Sequence, residues 1–190
     1  MKCLFLGYKN NKTKLINFLK KKKYVVKHTD KQIGKEISKY DLVVSFGYRQ
    51  IIKEKILKLS KRPIINLHMS YLPHNRGSHP SFWSFYDKTL KGVTIHEINN
   101  SIDSGPILFQ KKIKFNIIKN KNLTFKQAYK KSFNLLENLF IKNFIKIKTK
   151  NYRVKKNLIK KGSIHKKRDL PRDLKNFDLS IYDYLKKKAN

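Results

Sequence analysis

Short apolar runs alternate with lysine-rich amphipathic stretches through the first half of the chain. Four of these runs predict buried strands, at residues 3–6, 24–27, 42–46 and 63–67. The third run is apolar almost throughout, as expected of a strand that is covered on both faces. Two amphipathic stretches between the runs predict helices, at residues 12–22 and 50–59. This alternation is typical of an α/β domain with a parallel sheet.

The second half predicts two further helices and one pair of strands. Pro80 suits the first turn of a helix over residues 80–86, and Thr124 with Gln127 has the form of a capping box that opens a long helix over residues 125–147. Apolar positions at helical spacing on that helix indicate a core-facing stripe. We expect strands at residues 92–97 and 107–115 to pair, with Asp103 in the loop between them.

The length of 190 residues suits one domain with a sizeable core. Residues 1–150 contain the predicted α/β domain: a Rossmann-like, open, mostly parallel sheet with helices on both faces. Residues 151–190 read as a basic C-terminal extension, and we expect it to pack either on the same domain or on a dimer partner.

Charge changes this picture less than its size suggests. Lysine and arginine number 46 against 12 acidic residues, a formal net charge of +34. Clustered cations neutralise nucleic-acid phosphates, but residues 66–110 carry three basic and three acidic side chains, so the excess lies elsewhere. The lysines are spread over nearly every other segment, which indicates compositional drift. We expect only weak, non-specific binding to nucleic acid.

The compartment follows from cysteine content and hydropathy. No apolar run approaches the about 20 residues that cross a membrane, and the apolar start at residues 1–7 is too short for the core of a signal peptide. The single cysteine, Cys3, excludes an internal disulfide and a multi-cysteine zinc site. We therefore expect a cytoplasmic protein without membrane contact.

Candidate chemistry lies where the fourth strand ends. The sequence there reads Asn66-Leu67-His68-Met69-Ser70-Tyr71-Leu72-Pro73-His74-Asn75-Arg76-Gly77, and Gly92-Val93-Thr94-Ile95-His96 and Ile102-Asp103-Ser104-Gly105-Pro106 follow. Open α/β sheets bind ligands at the carboxyl ends of their strands. An amide, an imidazole and a carboxylate in this region can hold an oxyanion and move a proton.

This ordered series resembles the formyltransferase family that takes its one-carbon unit from 10-formyltetrahydrofolate. The resemblance is close over residues 64–111 and looser over residues 41–48, and it implies an abridged N-terminal half because residues 29–41 are too few for the usual strand–helix unit. It places Asn66, His68 and Asp103 on the catalytic positions. The implied supporting residues are His96, Arg76 and Ser70, and the implied contacts to the pterin of the folate are Tyr48, Gln50 and Ile51.

Several of these residues have a structural interpretation beside the functional one. His96 could equally be a hydrogen-bonded histidine of a half-buried strand. We favour a bracing role for Arg76 over the orientation of an anionic group. Ser70 lacks an obvious base partner and is typical of turn residues that bond the backbone. Tyr48 departs from the small apolar residue that the family usually carries there.

The implied reaction is acyl transfer from the folate co-substrate to an amine, with no metal. A protonated His68 would stabilise the tetrahedral oxyanion, and the Asn66 amide would donate a second hydrogen bond. Asp103 would favour the charged imidazole and collect, through a water, the proton that the amine loses.

The acceptor is narrowed by what the sequence lacks. Only one glycine, Gly7, follows the first strand, whereas a glycinamide ribonucleotide enzyme would need a glycine-rich phosphate loop. Known methionyl-tRNA enzymes carry a further C-terminal domain. The Leu72–Gly77 stretch with Phe82-Trp83-Ser84 is most similar to the amino-sugar branch, which implies a nucleotide-linked amino sugar as acceptor.

Alternatives stay open. The abridged N-terminal half leaves either a homodimer partner that completes the acceptor site or a smaller acceptor. The other amine acceptors, methionyl-tRNA and glycinamide ribonucleotide, remain alternatives. So does a catalytically silent relative that binds folate or nucleic acid.

Overall fold

A six-stranded mixed sheet lies at the centre of the computed structural model, which describes residues 1–189. The strands of the chain are β1 (Lys2–Gly7), β2 (Val25–Thr29), β3 (Leu42–Phe46), β4 (Ile65–His68), β5 (Arg76–Gly77), β6 (Gly92–Glu97), β7 (Ile107–Lys112) and β8 (Ile164–His165). The central sheet has the order β2-β1-β3-β4-β6-β7. β1 to β4 are parallel, whereas β6 and β7 are antiparallel to their neighbours. The predicted open, mostly parallel sheet is confirmed.

Helices cover both faces of this sheet. They are α1 (Leu15–Lys21), α2 (Glu54–Leu57), α3 (Pro80–Tyr86), α4 (Phe125–Thr149) and α5 (Ile181–Ala189). Successive side chains of a strand point to opposite faces. In β1, Cys3 and Phe5 pack in a cluster with residues of α1 and α4, whereas Leu4 and Leu6 pack in a second cluster that includes Ile56 of α2. Both faces of β1 are therefore core, which explains its uninterrupted apolar run.

The predicted helix at residues 50–59 is wrong in extent. α2 is a single turn, Ile52 and Ile56 are buried, but Ile51 is 70% exposed and Leu59 is 41% exposed. Two isoleucines four residues apart are enough to cover the sheet at this point, so no longer helix is needed. The preceding residues form a loop, which leaves Ile51 on the surface.

Other boundaries shift by a few residues. α1 begins at Leu15, because the Thr13 hydroxyl accepts the Leu15 N–H and donates to Glu137 of α4 over 2.6 Å. β7 ends at Lys112, three residues before the predicted end. The capping box of α4 is present, with Thr124 and Gln127 bonding each other's backbone N–H groups.

The C-terminal segment, residues 151–189, contacts the rest of the chain at three places. Lys155 forms an isolated antiparallel bridge with Ile107 at the start of β7. β8 pairs in parallel with β5. In α5, the fully buried Ile181 packs in an aromatic cluster with residues of α3 and α4. Neither β5, β8 nor α5 was predicted. No helix within residues 1–189 has the length and apolar character needed to cross a bilayer.

Candidate active site

Strand pairing brings three polar side chains together. Asn66 and His68 lie two residues apart on β4, so their side chains share one face of the sheet. β6 runs antiparallel beside β4, and its register places His96 opposite Asn66. The loop between β6 and β7 then carries Asp103 over the same face. The structure therefore unites all three predicted catalytic residues with the predicted supporting His96.

The Asn66 amide holds two of its neighbours. Its Nδ2 lies 3.0 Å from Nε2 of His96 and 3.1 Å from Oδ1 of Asp103. His96 Nδ1 lies 2.8 Å from the Glu97 carbonyl oxygen, which can only accept, so Nδ1 carries a proton and Nε2 of the neutral ring accepts from Asn66. Both amide hydrogens are thus engaged. Donation from Asn66 to an oxyanion, as the sequence suggests, would have to replace one of these bonds.

His68 is held by a backbone carbonyl. Its Nε2 lies 2.9 Å from the oxygen of Asn75, and because a carbonyl only accepts, Nε2 carries a proton. The other ring nitrogen, Nδ1, faces Asp103 at 3.5 Å from Oδ2. The side chain of His68 is 7% exposed. Nδ1 is therefore the nitrogen of His68 that can exchange a proton in the reaction.

Asp103 is a buried carboxylate in the neutral pH range. Burial alone would raise its pKa, but the charge interaction with His68, the contact with His96 at 3.3 Å and the N–H of Gly77 together hold the pKa of Asp103 well below its usual range. The Gly77 N–H donates to Oδ2 over 2.8 Å. The carboxylate side chain is 14% exposed.

The expected permanently protonated His68 needs correction. Burial lowers the pKa of His68, and this effect outweighs the opposing influence of Asp103 and of the Asn75 carbonyl. The resting imidazole is therefore neutral in the neutral pH range, with a free lone pair on Nδ1. A positive charge on His68 belongs to the reaction and not to the resting site.

The Asp103 loop is secured from the C-terminal segment. Asp103 itself has a left-handed backbone, with φ of 45°. Nδ2 of Asn157 donates to the Asp103 carbonyl over 3.0 Å and lies 3.3 Å from the Gly105 carbonyl. The sequence analysis did not find Asn157, since a single asparagine in a lysine-rich segment carries no motif.

Two predicted supporting residues brace loops and do not touch the cluster of Asn66, His68, His96 and Asp103. Oγ of Ser70 donates to the His74 carbonyl over 2.7 Å, and Thr94 donates to the Ser70 carbonyl. Arg76 lies on β5, where its backbone N–H donates to the Ser163 carbonyl. These contacts agree with the turn and bracing interpretations of Ser70 and Arg76.

The predicted folate contacts lie on the loop that follows β3. The Tyr48 hydroxyl donates to the Lys31 carbonyl over 2.8 Å. Gln50 and Ile51 are both exposed. No hydrogen bond within residues 1–189 joins these three residues to the four-residue cluster, so their role stays a prediction. Within the same residues, no group of three or more His, Cys, Asp or Glu is arranged to hold a metal ion.

Comparison with known proteins agrees with this geometry. The profile of a protein family described as Formyl transferase matches residues 2–141. In the crystal structure of the formyltransferase PseJ from Anoxybacillus kamchatkensis, in complex with UDP-4,6-dideoxy-4-formamido-L-AltNAc and tetrahydrofolate, 96% of the chain aligns with 95% of this one. The TM-score is 0.86 and the sequence identity is 31%.

Curated relatives align over shorter stretches. A dTDP-4-amino-4,6-dideoxyglucose formyltransferase from Mycobacterium bovis is 35% identical over 80 residues, which are 42% of this chain and 33% of the relative. A methionyl-tRNA formyltransferase from Thermodesulfovibrio yellowstonii is 40% identical over 78 residues, 40% of this chain and 25% of the relative. The chain spans a third or less of the length of these curated relatives.

Proposed function

Because the chain belongs to the formyl transferase family, we propose that it is an N-formyltransferase that uses 10-formyltetrahydrofolate and acts on the amine of a nucleotide-linked amino sugar. One observation carries the proposal: an ionised Asp103 lies 3.5 Å from the free Nδ1 of a neutral, buried His68. A base and a charge partner in this arrangement suit the transfer of an acyl group to an amine.

His68 moves the proton in this proposal. Nδ1 takes the proton that the attacking amine loses, and returns it to the folate nitrogen that leaves the formyl carbon, so no proton is gained or lost overall. Once protonated, Nδ1 is a charged donor that can stabilise negative charge on the formyl oxygen. One such aimed donor is worth about 3 kcal/mol. Asp103 stabilises the imidazolium, because the ion pair forms only during the reaction.

Asn66 and His96 position the carboxylate. The amide of Asn66 donates to Oδ1 of Asp103 while Gly77 donates to Oδ2, so both oxygens are fixed. His96 in turn fixes the amide by accepting its other hydrogen. We assign Asn66 a place in the site through these contacts, and His96 a supporting one.

The loop after β3 suits the folate. Ile64 packs in the same cluster as Tyr48 and Ile52, and Asn66 and His68 follow Ile64 at a two-residue spacing, so the loop and the proposed catalytic side chains lie over one face of the sheet. An isoleucine that is 70% exposed beside this site offers apolar surface to a flat ring system. Tyr48, Gln50 and Ile51 are the proposed contacts, and the donor supplies the formyl group when bound there.

The loop after β1 argues against a phosphate cradle of the glycinamide ribonucleotide type. Gly7 is in the left-handed region with φ of 105°, and a Cβ there would lie 2.2 Å from the Phe46 carbonyl oxygen. The Tyr8 N–H already donates to that carbonyl over 2.9 Å. This glycine therefore serves strand packing. The amino-sugar acceptors named for PseJ and for the mycobacterial relative support the proposed acceptor class.

The test is a panel of amines incubated with 10-formyltetrahydrofolate and followed by tetrahydrofolate release. We expect turnover with a UDP- or dTDP-linked amino sugar. Turnover with methionyl-tRNA or glycinamide ribonucleotide alone would overturn the acceptor. No turnover with any amine, in a folded protein, would favour a silent relative that retains the fold.

A further inference from the structure

The position of His68 depends on one neighbouring residue, Asn75. Its carbonyl is the only partner within residues 1–189 that hydrogen-bonds Nε2 of His68, at 2.9 Å. Asn75 is fully buried and has a left-handed backbone with φ of 57°. The tautomer of His68 and the direction of Nδ1 are therefore set by where this carbonyl lies.

Asn75 is fixed through every other polar group it has. Its Nδ2 donates to Oδ2 of Asp87 over 3.0 Å, and its Oδ1 accepts from the Thr89 hydroxyl over 2.7 Å. Its backbone N–H donates to the Ser163 hydroxyl over 2.9 Å. An amide is suited to this place, because it donates to a carboxylate and accepts from a hydroxyl at the same time.

Asp87 is held in turn by the C-terminal segment. Nε2 of His165 lies 2.7 Å from Oδ2 of Asp87, and the two side chains are 16% and 24% exposed. The His165 ring stacks on Trp83, with centroids 3.9 Å apart and an interplanar angle of 6°. His165 lies outside the part of the chain that the family profile matches.

We propose that Asn75, Asp87 and His165 form a positioning network for His68. Asp87 and His165 hold the Asn75 side chain, and the Asn75 carbonyl keeps the proton of His68 on Nε2 and turns the lone pair of Nδ1 toward the reacting groups. These are positioning residues and touch no substrate. The inference rests on the proposed function, in which Nδ1 of His68 carries the proton.

A charge exchange tests the network. Asn75→Asp places a carboxylate beside that of Asp87, and we expect kcat to fall by about ten- to hundredfold with KM for the folate donor little changed, as for other groups that orient a reacting side chain. The double variant Asn75→Asp with Asp87→Asn restores every donor–acceptor pair in reversed order. We expect it to recover kcat to within a few-fold, a coupling that a double-mutant cycle measures.

The decisive readout is the imidazole ¹⁵N NMR spectrum of His68, assigned with a His68→Asn variant. We expect the Nε2-protonated pattern in the wild type, a changed pattern in Asn75→Asp and recovery in the double variant. This readout does not need turnover, so it decides the inference even if no acceptor is formylated. An unchanged His68 spectrum in folded Asn75→Asp would overturn it.

Two further variants cover failure of Asn75→Asp to fold. Asn75→Gly keeps the positive φ and the carbonyl but removes both side-chain tethers. His165→Phe retains an aromatic ring to stack on Trp83 and removes the hydrogen bond to Asp87. We expect each to shift the His68 tautomer, and wild-type spectra in both would refute the network.

Discussion

The backbone N–H of Gly77 donates to Oδ2 of Asp103 over 2.8 Å, so the loop that follows His68 is tied directly to the carboxylate of the β6–β7 loop. Gly77 can take this place because its φ of 87° lies in the left-handed region. A Cβ at this residue would lie 2.3 Å from the His165 carbonyl oxygen of β8. The close approach of β5 and β8 therefore depends on glycine.

Gly77→Ala should destabilise the protein and impair its activity. The added methyl group meets a backbone oxygen that cannot move alone, and the positive φ strains alanine, so we expect a loss of about 1–3 kcal/mol in the free energy of unfolding. Urea unfolding measures it. Gly34→Ala is the control, because φ is −126° there and the nearest group is the flexible Glu36 side chain. Equal stability of the two variants would contradict this account.

Asp103→Asn should abolish most of the turnover while leaving the fold intact. The amide still offers an oxygen to Gly77, but it cannot stabilise a protonated His68, so we expect kcat to fall at least about a hundredfold. His68→Ala should lose as much. Tetrahydrofolate release measures the rate, and circular dichroism checks the fold. The control is Asp173→Asn, an exposed carboxylate that pairs with Lys188. Near-native turnover in folded Asp103→Asn would end the catalytic assignment.

The sequence predicted the site better than its surroundings. Asn66 and His68 follow a buried apolar run, and the spacing of two residues within one strand sets their common face, so a local pattern suffices. His96 opposite Asn66 follows from pairing two strands that the pattern also predicts. The strands β3 and β6 and the helix α3 have the predicted ends.

The remainder depends on contacts that are distant in the chain. β8 exists because two residues near 164 pair with the two residues of β5, and neither pair has an apolar pattern of its own. Asn157 and His165 reach the site from beyond the long helix, and only the folded chain brings them there. The charge state of His68 was wrong for a similar reason: its burial, which opposes a positive charge, is set by tertiary packing.

Acid should destabilise the protein in two separate pH windows. The pKa of His68 is lowered by burial, so the unfolded chain binds this proton more readily, and stability falls as pH drops below the unfolded value of about 6.5. The pKa of Asp103 is also lowered, so its contribution is present above about pH 3.9 and is lost as pH falls further.

The His68 window can be isolated with His68→Asn. Unfolding free energies between about pH 7.5 and 5 should fall less steeply in this variant than in the wild type. His79, whose pKa burial also lowers, is present in both proteins, so the difference between the slopes belongs to His68. Identical slopes would show that His68 titrates alike in the folded and unfolded chains.

Folate binding should raise the melting temperature. The isomer 5-formyltetrahydrofolate does not donate its formyl group, and at a hundred times its Kd a ligand of the native state adds about 2.7 kcal/mol. That corresponds to a shift of several degrees for a chain of this size. Ile51→Ser should reduce the shift, whereas Ile145→Ser, at an exposed isoleucine of α4, should not. Equal shifts in both variants would remove Ile51 from the folate site.

The net charge of +34 should matter for nucleic acid only at low salt. If the lysines are compositional drift, binding to duplex DNA or tRNA will be weak and indifferent to sequence. Six to ten phosphate contacts would lose about a thousandfold or more in affinity between 50 and 200 mM salt, because each contact releases counterions. Turnover of a nucleotide-linked sugar involves far fewer charges and should fall only a few-fold. Filter binding and initial rates over the same salt series measure both. Submicromolar, tRNA-selective binding that survives 200 mM salt would identify a recognition surface, and the proposed acceptor would move from sugar to tRNA.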